Sequence, residues 1–124
     1  MTHLELAEAL FDAFADGDAD TVRSLCAADV TARQNKSPPM DLDTLIEFAL
    51  AIHNAVADFR YSDAICTPTA SGFVEEHRVR GTLPDGTDLD LAACVVADVR
   101  DGKVIDLREY VDGSAAAGLL KAMT

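Results

Sequence analysis

Arg100-Asp-Gly-Lys-Val-Ile-Asp-Leu-Arg-Glu-Tyr-Val-Asp112 reads as a tight turn followed by the last strand of a sheet. In a strand, alternate residues share a face, so Ile105, Leu107, Glu109 and Val111 lie together, with Val104, Asp106, Arg108, Tyr110 and Asp112 opposite. The first face is apolar except for one carboxylate. A lone acid among inward-facing aliphatics loses proton affinity to a nearby cation or gains it by desolvation, and both conditions concentrate in functional pockets. Glu109 is therefore the first candidate for chemistry.

The preceding segment carries a matching apolar face, with Leu89, Leu91, Ala93, Val95, Ala97 and Val99 on alternate positions. The two faces coincide when paired positions sum to an even number. A three-residue Arg100-Asp101-Gly102 loop gives that parity, and it predicts Glu109 opposite Ala93, Val95 opposite Leu107 and Leu91 opposite Val111. Further back, Phe59–Cys66 and Gly72–Leu83 also repeat with period two, and Pro84-Asp-Gly supplies a second tight turn. The result is an antiparallel meander. In its Gly72–Leu83 strand one face carries Phe73, Glu75, His77 and Val79, and the other Val74, Glu76, Arg78 and Arg80. A three-residue Pro84-Asp85-Gly86 loop turns His77 inward, whereas a longer loop or a bulge turns Glu76 and Arg78 inward.

The N-terminal half has helical spacing. Thr2 with Glu5 forms a capping box ahead of Leu4, Ala7, Leu10, Phe11 and Phe14, and Gly17 ends that helix. Asp18 caps a short second helix with Val22, Leu25 and Cys26 as its stripe. Val30–Asn35 reads as a short strand, Lys36-Ser-Pro-Pro-Met as a breaker, and Asp41 opens a third helix whose broad apolar face has His53 on or beside it. Ala115–Met123 suits a short closing helix. The expected fold is one α+β domain over 1–124, three N-terminal helices on a curved antiparallel sheet.

The 124 residues carry a formal charge of −12, which argues against nucleic acid and anionic membrane as partners. Cys26, Cys66 and Cys94 follow no metal-ligand or CxxC spacing and suit buried thiols in a reducing compartment. With no signal-peptide pattern and no long apolar run, the expected location is the cytoplasm. No P-loop, GxGxxG or HExxH occurs, so no cofactor or metal is implied. A groove for a partner peptide would need exposed aromatics, and Phe73 alone stands out as one.

Gly81-Thr-Leu-Pro-Asp-Gly, Asp101-Gly-Lys-Val-Ile and Arg108-Glu-Tyr-Val-Asp, in this helix-then-meander order, resemble the nuclear-transport-factor-2-like cone and within it the SnoaL-like group. The resemblance implies a conical pocket for a small lipophilic molecule and a homodimer through the outer sheet face. Leu91, Ala93, Val95 and Leu107 would line that pocket with Val111, His77 and Phe14. The group holds polyketide cyclases, ketosteroid isomerases, limonene epoxide hydrolases and non-catalytic binding modules. Beside the epoxide hydrolases, Glu109 falls where a carboxylate activates water and Asn35 where a helper amide binds it. Where those enzymes keep Arg and then Asp, this chain has Glu76 and then Arg78. The cyclase pattern also keeps an acid at Glu109, but its histidine partner is replaced within Ala92-Ala-Cys-Val. The implied function is isomerase, cyclase or hydrolase chemistry with Glu109 as general base and Arg78, Glu76 and Asn35 around it. A non-catalytic ligand-binding or dimeric accessory domain is the alternative.

Overall fold

Thr2 starts the first helix through a reciprocal cap, its hydroxyl accepting from the Glu5 N–H while the Glu5 carboxylate accepts from the Thr2 N–H. The computed structural model, which describes residues 1–123, continues from that cap into α1 (His3–Asp16), α2 (Ala19–Leu25) and, after one strand, α3 (Leu42–Ala55). Gly17 closes α1 in the left-handed region at φ 67°, and Asp18 and Asp41 cap the next two helices. The buried stripe of α1 is Leu6, Ala7, Leu10, Phe11, Ala13 and Phe14. Leu4, expected in that stripe, is exposed instead.

Five strands follow or interleave: β1 (Cys26–Gln34), β2 (Ala57–Pro68), β3 (Gly72–Thr82), β4 (Asp88–Arg100) and β5 (Lys103–Val111), arranged β1-β5-β4-β3-β2. The meander β2 to β5 is antiparallel as expected, and β1 joins its far edge parallel to β5, which makes the sheet mixed. Cys26 opens β1, buried, and does not belong to the α2 stripe. Phe73 is fully buried, so it offers no exposed aromatic surface.

Two turns set which side chains face the helices. Between β3 and β4, the Leu83 N–H donates to the Thr87 carbonyl around a three-residue Pro84-Asp85-Gly86 loop, with Gly86 at φ 88°. His77 therefore pairs with Ala93 and Glu75 with Val95, both on the concave face. Between β4 and β5 the loop has two residues, Asp101 and Gly102, both at positive φ, with Arg100 paired to Lys103. A bulge at Val104–Ile105 then restores the inward parity, because Val99 pairs with Val104 but Asp98 pairs with Asp106. Glu109 consequently sits opposite Val95, two residues from the expected Ala93, and Val104 turns into the core.

Buried side chains form two clusters. The larger joins α1, α2 and α3 to the β1, β4 and β5 half of the concave face. The smaller lies under α4 (Gly113–Ala122), with Leu91 and Ala93 at its centre and Val111 packed against it. The two-residue shift in register is what assigns those three to this second cluster.

Gly72 fixes the start of β3 against β4. A Cβ there would stand 1.9 Å from the Ala97 carbonyl oxygen, a backbone atom that no side-chain rotation can move. Gly72→Ala should therefore cost about 3 kcal/mol, seen as a lower urea midpoint at unchanged m-value.

Candidate active site

Glu109, near the C-terminal end of β5, lies in one cross-strand row with Gln34 on β1, Val95 on β4 and Glu75 on β3. Gln34 donates from Nε2 to Glu109 Oε1 at 2.7 Å. Asn35, one residue on, does something different. At φ 50° its amide donates to the Val111 carbonyl at 3.1 Å and accepts from the Val111 N–H at 3.0 Å, extending the β1–β5 ladder by a side chain. The side-chain amide hydrogen-bonded to Glu109 is thus that of Gln34, while the amide of Asn35 is taken up by the Val111 backbone.

In front of the Glu109 carboxyl is a cavity of about 80 Å³, roofed by Phe11 and Phe14 of α1 and by Leu45, Phe48, Ala49 and Ile52 of α3. Phe59 and Tyr61 of β2 wall one side, and Val95 and Leu107 form the floor. Of the expected lining residues, Phe14, Val95 and Leu107 are there, while Leu91, Ala93 and Val111 belong to the cluster beneath α4, and His77, though on the same concave face, is not part of the lining. Burial in this apolar setting raises the Glu109 pKa above its ordinary value. The Gln34 hydrogen bond and the charge of His77 pull it partly back. Since Gln34 favours the ionised form, Gln34→Leu should raise the Glu109 pKa further, as read by carbon-detected titration of the carboxyl.

Tyr61 closes the cavity beside Phe59, their rings in edge contact at 5.3 Å between centroids. Burial pushes its phenol pKa up, and the Glu109 and Glu75 carboxylates push the same way, so the hydroxyl keeps its proton. Next to Tyr61, His77 is fully enclosed, with Nδ1 2.6 Å from Glu75 Oε2. Glu75 and His77 are the two buried polar or charged residues among those described.

Glu76 and Arg78 point away from all of this. Both are exposed on the convex face, where Arg78 makes a bidentate pair with Asp90 at 2.8 and 3.1 Å. The strict alternation of β3 is the reason, because turning His77 in turns its neighbours out. Arg108 likewise lies on the convex side, between Asp98 and Asp106. Burial, the first-ranking influence on Glu109, is thus not offset by an arginine partner. His53 donates from Nδ1 to the Ala15 carbonyl at 2.9 Å and packs against Gly17, which makes it a tie between α3 and α1. Among the described residues, no group of three or more His, Cys, Asp and Glu side chains is placed to hold a metal ion, and all three cysteines are free.

Comparison with known proteins gives this arrangement a family. The SnoaL-like domain matches residues 7–107, most of the chain. The protein belongs to the SnoaL-like family. No curated protein matches it. Solved structures similar to this SnoaL-like chain include a proposed polyketide cyclase from Pseudomonas putida, 22% identical, with 93% of this chain and 95% of that one covered at a TM-score of 0.81. IdmH, a proposed polyketide cyclase from Streptomyces antibioticus, is 18% identical over 98% of this chain and 99% of its own, with a TM-score of 0.83. A protein of ketosteroid isomerase-like fold from Catenulispora acidiphila, solved in complex with trimethylamine, is 14% identical over 93% and 90%, with a TM-score of 0.80. At these identities the likeness is one of fold.

Gln34, Phe11 and Tyr61 escaped the sequence reading of this SnoaL-like site. For Gln34 a signal existed, since Val30, Ala32 and Gln34 share one face of a strand and Asn35 falls off it. Phe11 and Tyr61 read as ordinary core residues.

Proposed function

We propose that the cavity is the active site of a small-molecule enzyme in which Glu109 abstracts a proton from a lipophilic carbon acid. The observation that carries this reading is a carboxyl desolvated beside a largely apolar cavity and hydrogen-bonded to one neutral amide, with burial outweighing the pull of that bond and of the His77 charge. A carboxylate whose pKa is moved toward neutrality is a stronger base once ionised, and positioned proton transfer of this kind contributes about 10²–10⁴ in rate. The Gln34 amide fixes the carboxylate's orientation. Tyr61, neutral and at the cavity wall, is the donor available to an oxygen that gains charge as the proton leaves. Isomerisation or cyclisation through an enolate uses these groups without a cofactor.

Small cyclic ketones test the proposal. With cyclohexanone in D2O, the protein should speed loss of the α-proton signal in NMR spectra. A rate no higher than that of the same protein carrying Glu109→Gln would contradict it. The family's proposed cyclases make this class of reaction the natural starting point.

A further inference from the structure

Glu75 is a carboxylate placed where water hardly reaches. It is 5% exposed on the concave face, and its Oε2 accepts from His77 Nδ1 at 2.6 Å. Among the described residues its other oxygen, Oε1, accepts no hydrogen bond. That oxygen is nonetheless not sealed in, because the one side-chain polar atom that is both buried and unpartnered is Nε2 of His77. Both oxygens of a carboxylate are acceptors, and one left without a donor in a mostly dry setting costs folding free energy. Oε1 is therefore an acceptor held open toward the space that Glu75 borders.

That space is not the Glu109 cavity, whose lining does not include Glu75. Glu75 lines a groove of about 620 Å³ between α1 and β2, a size in the range of small-molecule sites. Cys66, paired with Glu75 across β2 and β3, lies in the same floor. Burial raises the Cys66 thiol pKa and the Glu75 charge raises it further, which puts the carboxylate beside the groove floor. Phe11 and Tyr61, in edge contact at 5.3 Å between centroids, divide the groove from the Glu109 cavity and face both. Leu4 of α1 and Ala64 of β2, both exposed, complete the apolar walls, so the groove is where Leu4 goes when it leaves the buried stripe of α1. Glu8 and Asp12 stand at the exposed edge. Arg60, the one cation of the lining, is already engaged by Asp58 at 2.8 Å.

We infer that this groove is a second small-molecule site, for an organic ammonium ion whose N–H donates to Glu75 Oε1 and whose apolar body packs on Phe11, Tyr61 and Leu4. Charge selects the ligand class. An N–H carried by a cation makes the stronger bond to a carboxylate, and aromatic surfaces add attraction for a cation. An anion would meet Glu75, Glu8 and Asp12 at once. The site is separate from Glu109, and its occupancy is independent of the proton abstraction proposed there.

The test uses the whole protein labelled with ¹³C and ¹⁵N, in about 0.15 M salt to screen the acidic surface, and two one-ring probes. Benzylammonium carries the charge, and benzyl alcohol is its neutral counterpart. Expected are saturable binding of benzylammonium, nuclear Overhauser contacts from its ring to the methyl groups of Ala15 and Ala64, and affinity about tenfold above that of benzyl alcohol. Glu75→Gln keeps the size of the side chain and should remove the preference for the charged probe. Ala64→Leu fills the groove from an exposed position, leaves the buried Glu75–His77 pair untouched, and should abolish binding. The inference is overturned by equal affinity for the two probes, by shifts that spread over the acidic surface without saturating, or by contacts to Ala49 of the Glu109 cavity in place of Ala15 and Ala64. Benzylammonium binding unchanged in Ala64→Leu, or a preference unchanged in folded Glu75→Gln, would overturn it equally.

Discussion

Replacing Glu109 with Gln should cut proton abstraction by about 10²–10⁴ and at the same time make the protein harder to unfold at neutral pH. The two effects have one cause. In the folded state the Glu109 pKa lies above its unfolded value, so the unfolded chain gives up this proton first as pH rises. Glu109 therefore costs nothing below its unfolded pKa. It costs progressively more as pH climbs toward its folded pKa, and the cost is constant above that. Each unit of the shift is worth about 1.4 kcal/mol. Glu109→Gln keeps the shape and the neutral polarity of the protonated acid, so its gain over wild type should be absent near pH 4 and grow as pH rises from there. Thermal unfolding of both proteins across that range measures it. A variant that loses activity and is also less stable at pH 8 would mean that the carboxylate is a structural anion and not a base kept under stress.

Phe11→Ala should be the most damaging single change to the fold, at about 3–5 kcal/mol. The Phe11 ring touches Phe14, Tyr61, Phe73 and His77, with centroids between 4.9 and 6.3 Å, so truncation leaves a void at the junction of α1, β2 and β3. Phe11 also lines both the Glu109 cavity and the groove between α1 and β2. Its loss joins the two spaces and admits water, so the Glu109 pKa should fall toward the ordinary carboxylate range. Leu10→Ala is the control. Leu10 is fully buried but lines neither space, so it should lose stability without moving Glu109. Urea unfolding and carboxyl titration of the two variants separate packing from solvation. Equal pKa values in both would show that Phe11 does not keep water from the carboxyl.

Local chemistry made much of the fold legible. The Thr2–Glu5 box and Gly17 delimit α1 because capping is decided within a few residues, and Pro84-Asp-Gly marks a tight turn whose three-residue length only the structure fixes. The bulge after Asp101-Gly102 was not legible. Nothing at Val104-Ile105 marks it, and it exists because the two-residue turn would otherwise turn Arg108 and Tyr110 inward. β1 was legible as a strand but its partner was not, since it pairs with a segment some 75 residues later. For the same reason Gln34 was passed over for Asn35, a one-residue difference that only the register of β1 on β5 resolves. Glu109 itself was readable because alternation isolates it among aliphatics, whereas the face of His77 was not, since a three-residue Pro84 loop and a longer one turn opposite faces inward. Apart from Phe14, the lining residues contributed by helices were not legible, as Phe11 and Phe48 look like any core positions until α1 and α3 are laid over the sheet.

The pKa of the Glu109 carboxyl, followed by carbon-detected NMR in wild type and assigned with Glu109→Gln, tests the central claim most directly. A base held in a dry cavity titrates well above about 4.3, moves higher in Gln34→Leu and returns downward in Phe11→Ala. A midpoint at or below the ordinary value, insensitive to both variants, would mean a solvated or ion-paired carboxylate and would remove the basis for Glu109 as the catalytic base.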